Sequence, residues 1–89
     1  MLKIYGNNIY PKALADLNDW QRSGNIKIQN KIKELLQSII ATPFSGVGKS
    51  EALKHNLSGK WSRRINKEHR IIYGVIDVTI YVYSLKGHY

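Results

Sequence analysis

The spacing of the apolar residues changes near the middle of the chain, and this limits the fold more than any other feature. In the first half, Ala13, Leu14, Leu17, Trp20 and Gln21, then Ile28, Ile32, Leu35, Leu36, Ile39 and Ile40, recur every three or four positions, as on one face of a helix. Beyond the middle, "KWSRRI", "HRIIYGVI" and "TIYVYSL" are short runs rich in β-branched and aromatic residues. Local punctuation agrees with the split. Pro11 suits a first helical turn, "SGN" at 23–25 ends the first helix, and Thr42-Pro43 ends the second. "NKE" and "DV" are tight-turn candidates between the strands. The short link between the helices predicts an antiparallel pair. The strands predict a three-stranded meander, joined by "LKIY" near the N-terminus. The expected fold is α+β: a two-helix hairpin packed on a mostly antiparallel sheet, in one domain spanning residues 1–89.

One sheet face must then bury against the helices while the other faces solvent or a partner. Along "KWSRRI", Trp61, Arg63 and Ile65 share one face and Lys60, Ser62 and Arg64 the other. Parity does not decide which arginine points outward. Trp20, Trp61, Tyr73, Tyr81 and Tyr83 are expected to pack rather than to stack on bases.

Charge points toward a partner. The net charge is +8, and all three histidines lie in the second half. Lys54, Lys60, Arg63, Arg64, Lys67 and Arg70 cluster around the single acid Glu68. Such a field favours a polyanion. The absence of cysteine excludes disulfides and thiolate metal sites, and suits a reducing cytosol. The start of the chain lacks the apolar core of a signal peptide, and "IIYGVI" is too short to span a bilayer, so no membrane association is expected.

Several chemistries fall away. His55, His69 and His88 lack the spacing of a zinc motif. "GVGKS" has Pro43 where a phosphate-binding loop needs its first glycine, and it follows a helix rather than a strand. General acid–base cleavage of RNA remains. There the ribose 2′-OH attacks the adjacent phosphorus, which requires a base, cations on the developing charge and an acid for the departing 5′-oxygen. Glu51 is a carboxylate among cations, Arg63, Arg64 and Arg70 are candidate phosphate clamps, and His55, His69 or His88 could serve as acid. Composition does not choose among them.

The block "LKHNLSGKWSRRINKEHRIIY" and the terminal His-Tyr resemble the YoeB/Txe toxins of bacterial type II toxin–antitoxin modules, within the RelE/ParE superfamily. The resemblance is firm over residues 42–89 and looser before, through "DWQ" and "KIKELL". It implies a RelE-like, microbial-ribonuclease-like fold and a cytoplasmic bacterial endoribonuclease that cuts mRNA in the ribosomal A site without metal or cofactor. By motif, it implies Glu51 as general base, Arg70 as stabiliser of the phosphate charge and His88 as general acid. The same motif matching implies Lys54 and Arg64 as phosphate ligands and Tyr89 as a residue positioning the RNA. Lys49, Arg63 and His69 form a supporting set. The implied partners are mRNA, the 30S A site and a cognate YefM/Axe-like antitoxin with an acidic C-terminal segment, and a homodimer is also open. A steric, non-enzymatic translation blocker and a ParE-like gyrase poison are the competing readings. Ser45, Ser50, Ala52 and "SLKGHY" depart from the family pattern without removing an implied catalytic residue.

Overall fold

The computed structural model describes residues 8–87, so the strand expected at Leu2–Tyr5 lies outside the described residues. Helices α1 (Pro11–Ser23) and α2 (Ile26–Ala41) are followed by four strands: β1 (Glu51–Ala52), β2 (Lys60–Arg64), β3 (Arg70–Ile76) and β4 (Thr79–Ser84). The sheet runs β1-β2-β3-β4, every neighbouring pair antiparallel. On the far side of β4, Ile9 makes a parallel bridge to Val82.

The helix boundaries follow from side-chain chemistry. Pro11 opens α1, where a missing N–H costs nothing. Gly24 closes it at φ 72, a left-handed conformation that glycine adopts without steric penalty. Asn25 then caps α2, its Oδ1 accepting from the Ile28 N–H at 3.1 Å. The chain therefore reverses within two residues, and α1 lies beside α2.

Ile32, Leu35 and Ile39 of α2 bury against Ile71, Tyr73, Ile80 and Val82 of the sheet, with Ala13 and Trp20 of α1 closing the core. Each such aliphatic side chain contributes about 1.5–3 kcal/mol through its removal from water. The α1 stripe differs from the periodic expectation. Leu14 is 50% exposed, while Asp16 is buried at 6%. The carboxylate is tolerated because Oδ2 accepts from Lys12 Nζ at 2.7 Å and from the Leu85 N–H at 3.0 Å.

Two differences from the sequence expectation concern the sheet. β1 is an additional strand, too short at two residues to carry an alternation pattern. Between Ile72 and Tyr73 the β3–β4 register shifts, a bulge that alternation does not announce. The turns match their composition. Asn66 Oδ1 accepts from the N–H groups of Glu68 and His69 at 2.9 and 2.8 Å, and Asp77 sits at φ 55 in the β3–β4 hairpin.

Candidate active site

The face of the sheet turned away from the helices carries the charged residues. Glu51 is the Cα partner of Ser62, Lys60 of Gly74, and Arg64 of Arg70. Residues directly opposite in a ladder point to the same side, as do residues two apart along a strand. Glu51, Lys60, Ser62, Arg64 and Arg70 therefore share one face. With strands about 4.8 Å apart and about 3.4 Å per residue, the Cα atoms of Glu51 and Arg70 are roughly 12 Å apart. Ser62 lies between them, fully buried, its Oγ accepting from Arg70 Nη1 at 3.3 Å.

Glu51 is exposed at the start of a turn that folds over β2. The Leu53 N–H donates to the Lys60 carbonyl at 2.9 Å, and the buried Leu53 side chain anchors the turn. Residues His55–Leu57 form one 3-10 turn, with His55 at φ 60. The cleft along this segment measures about 750 Å³ and is lined by Glu51, Lys54, His55 and Asn56, among others. Lys54 and His55 are exposed at its edge.

Tyr83 and Lys60 complete the face. The Lys60 ammonium lies 4.5 Å from the centroid of the Tyr83 ring, and the Tyr10 ring meets it edge-on at 4.5 Å. The ring lies close over Gly74, where a Cβ would approach it to 3.2 Å. Burial, reinforced by Tyr10 and Tyr81, pushes the Tyr83 phenol above its usual value.

Arg63 is a correction to the supporting set. It points into the core, with no exposed surface, and its partners are carbonyl and hydroxyl oxygens. Nη1 donates to Ser38 Oγ at 2.6 Å and to the Val47 carbonyl at 3.3 Å. Nη2 donates to the Ser45 carbonyl at 2.7 Å and to that of Thr42, and Nε to the Tyr73 hydroxyl at 3.2 Å. Thus Arg63 cannot clamp RNA; it ties the loop before β1 to α2 and β3. Arg64 is the outward member of the pair. Its N–H donates to the Gly48 carbonyl at 2.6 Å, so the glycine loop lies directly against β2. Gly48 is required there, since a Cβ would come within 2.8 Å of Leu35 Cδ2.

Lys49 is exposed on that loop, at φ 54. His69 turns inward. Its ring meets Trp20 edge-on at 4.9 Å, and Nδ1 accepts from the Gly87 N–H at 2.8 Å. His88 and Tyr89 lie outside the described residues.

Sequence reasoning overlooked Ser62 and the segment Ser84–Gly87. Ser62 had a usable signal, its parity with Arg64. The tail had none, because its contacts are with residues distant in sequence. Trp20 Nε1 donates to the Leu85 carbonyl at 2.8 Å, Lys12 Nζ to the Lys86 carbonyl at 3.1 Å, and the Arg70 N–H to the Gly87 carbonyl at 2.9 Å. The chain therefore ends its described course beside Arg70. Lys86 also reaches Asp19, whose carboxyl is held below its usual range chiefly by the hydrogen bond from Arg22.

Among the described residues, no group of three or more histidine, aspartate or glutamate side chains is placed to hold a metal ion. No helix among them is long and apolar enough to cross a membrane.

Comparison with known proteins adds a family. The model of the YoeB-like toxin of bacterial type II toxin–antitoxin systems matches residues 9–89. The chain is similar to Toxin YoeB of Escherichia coli K12, at 49% identity over 70 residues, covering 79% of this chain and 82% of that protein. In three dimensions it resembles the toxin in a heterotetrameric YoeB–YefM toxin–antitoxin complex from Staphylococcus aureus. There the TM-score is 0.85 at 43% identity, covering 100% of this chain and 99% of that one. It also resembles a YoeB dimer from the same organism, with a TM-score of 0.85 at 44% identity and coverage of 99% and 98%.

Proposed function

The chain belongs to the YoeB-like toxins of bacterial type II toxin–antitoxin systems, and from that premise we propose that it is a ribosome-dependent endoribonuclease that cuts mRNA in the ribosomal A site. The observation that carries the reading is the placement of Glu51 and Arg70 on one open sheet face, with Ser62 opposite Glu51 in the ladder and hydrogen-bonded to Arg70.

In this mechanism the Glu51 carboxylate takes the proton of a ribose 2′-OH. The 2′-oxygen forms a bond to the adjacent phosphorus as the bond from phosphorus to the 5′-oxygen breaks. His88 gives its proton to that departing oxygen. The products are a 2′,3′-cyclic phosphate and a 5′-hydroxyl, so atoms and charge balance without metal or cofactor. Arg70 meets the charge that builds on the phosphoryl oxygens, where a guanidinium can pair with two of them. Arg64 and Lys54 hold flanking phosphates, and Tyr89 positions a base or the backbone. Gly87 is hydrogen-bonded to the Arg70 backbone, and His88 follows it in the sequence. That connectivity supports His88 as the acid opposite Glu51.

The same basic face calls for an acidic partner when the toxin is held inactive. An antitoxin whose acidic segment folds across it would neutralise the cations around the cleft. The S. aureus YoeB–YefM complex and YoeB dimer support both an antitoxin partner and self-association for this bacterial, cytoplasmic protein.

The deciding experiment maps 5′ ends of cellular mRNA after brief induction of this protein and of its Glu51→Gln form. New ends within translated regions, absent with Glu51→Gln, are expected. Arrested translation without new ends would instead favour the steric blocker.

A further inference from the structure

We propose that His69, backed by Trp20, is a positioning residue that sets where the C-terminal residues enter the site. The proposal rests on the reading of His88 as the general acid and goes beyond it. The acid follows Gly87 in sequence, and proton transfer requires the donor within hydrogen-bond reach of the leaving oxygen, so the problem is what fixes the segment that leads to it.

The contacts of the tail answer that problem. Beyond β4, both polar backbone groups of Gly87 are occupied. Its N–H donates to His69 Nδ1 at 2.8 Å, and its carbonyl accepts from the Arg70 N–H at 2.9 Å. Two residues earlier, Trp20 Nε1 holds the Leu85 carbonyl at 2.8 Å. Trp20 is 7% exposed, and the two rings meet edge-on at 4.9 Å with an interplanar angle of 84°. The rings of α1 and the β2–β3 turn therefore brace each other while each grips one residue of the tail. Gly87 sits at φ 84, where the chain can turn without the penalty a side chain would bring. Accepting at Nδ1 places the imidazole proton on Nε2, which faces the Glu68 carboxylate at 3.9 Å. His69 is thus held through Nδ1, with Nε2 turned toward the exposed Glu68 side chain beyond hydrogen-bond distance. It acts through the backbone of Gly87, and only its neighbour Arg70 meets the substrate.

Truncating His69 should leave the basic face, and hence ribosome binding, intact while loosening the acid. A misplacement of about 1 Å can cost 10²-fold in rate. The test is single-turnover cleavage of mRNA on programmed ribosomes by the full chain, comparing wild type, His69→Ala, His69→Asn, Trp20→Phe and Glu51→Gln. For His69→Ala, the rate at saturating ribosome should fall by about tenfold or more, with the half-saturating concentration within about threefold of wild type. His69→Asn places an acceptor near the Nδ1 position and should recover most of the loss. Trp20→Phe, which keeps a ring and deletes one N–H donor, should show a smaller fall of the same kind. Hydrogen exchange at the Gly87 amide should accelerate in His69→Ala and be restored in His69→Asn. An inactive Glu51→Gln beside a His69→Ala that cuts at the wild-type rate would overturn the positioning role alone, as would Asn and Ala variants equally impaired with unchanged Gly87 exchange. A Glu51→Gln form that cuts at the wild-type rate would instead overturn the underlying functional reading.

Discussion

Arg63 Nε donates to the Tyr73 hydroxyl at 3.2 Å across the β2–β3 ladder, and that hydroxyl donates in turn to the Pro43 carbonyl. The two residues form a buried relay from the centre of the sheet to the loop that leads into β1. The relay holds the loop from Thr42 to Val47, in which Phe44 and Val47 are exposed and only the Phe44 ring, 4.9 Å from that of Trp61, makes an aromatic contact among the described residues.

Arg63→Met should therefore destabilise the fold by about 2–4 kcal/mol, since several carbonyls lose a charged donor inside the protein. Urea denaturation monitored by tryptophan fluorescence measures it. Arg63→Lys should recover little, because a point charge cannot span the oxygens that the guanidinium fork reaches. An unchanged denaturation midpoint for Arg63→Met would mean that the buried network contributes nothing.

Arg64 and Lys54 should behave in the opposite way. In a Glu51→Gln background that prevents cutting, Arg64→Ala and Lys54→Ala should each weaken binding to single-stranded RNA and reduce the salt slope by about 0.7 per lost phosphate contact. Fluorescence anisotropy across a KCl series reads the slope. Arg63→Lys should leave it unaltered, because its guanidinium is buried beneath the sheet.

For Glu51→Gln the cleavage rate on programmed ribosomes should drop by about 10²–10⁴-fold, the usual contribution of a general base. The amide keeps the size of the side chain and loses its basicity, so the melting temperature should stay close to wild type. A rate within a few-fold of wild type would remove Glu51 from the mechanism.

The Tyr83 phenol is raised above the ordinary value of 10.0 by burial and by its tyrosine neighbours. A group whose pKa is raised in the fold adds stability below its unfolded value and loses it as pH climbs through the folded one. The pH dependence that Tyr83 gives to stability should therefore appear only in alkali. The absorbance difference near 295 nm between wild type and Tyr83→Phe should titrate above 10.0; a midpoint at or below that value would contradict the packing against Tyr10 and Gly74.

Much of this architecture is written in local patterns. The stripe of α2, the αL glycine after α1, the Asn25 cap and the Asn66 turn each depend on neighbours within a few residues. The resemblance to the family was carried by the block "LKHNLSGKWSRRINKEHRIIY" and the terminal His-Tyr. Where the reading fell short, the cause was distance along the chain. β1 exists only because β2 offers it an edge, and Asp16 is tolerated inside in part because Leu85, 69 positions away, presents an N–H.

The adjacent arginines show the division most clearly. Alternation along a strand required Arg63 and Arg64 to face opposite ways, and that was legible from two letters of sequence. Which of them went inward depended on a cage of oxygens from Ser38, Thr42, Ser45, Val47 and Tyr73, brought together only once helix, loop and strand had packed. Periodicity carries secondary structure because it is a property of successive residues. The solvation of a buried charge belongs to the assembled surroundings, and only the tertiary structure could decide it.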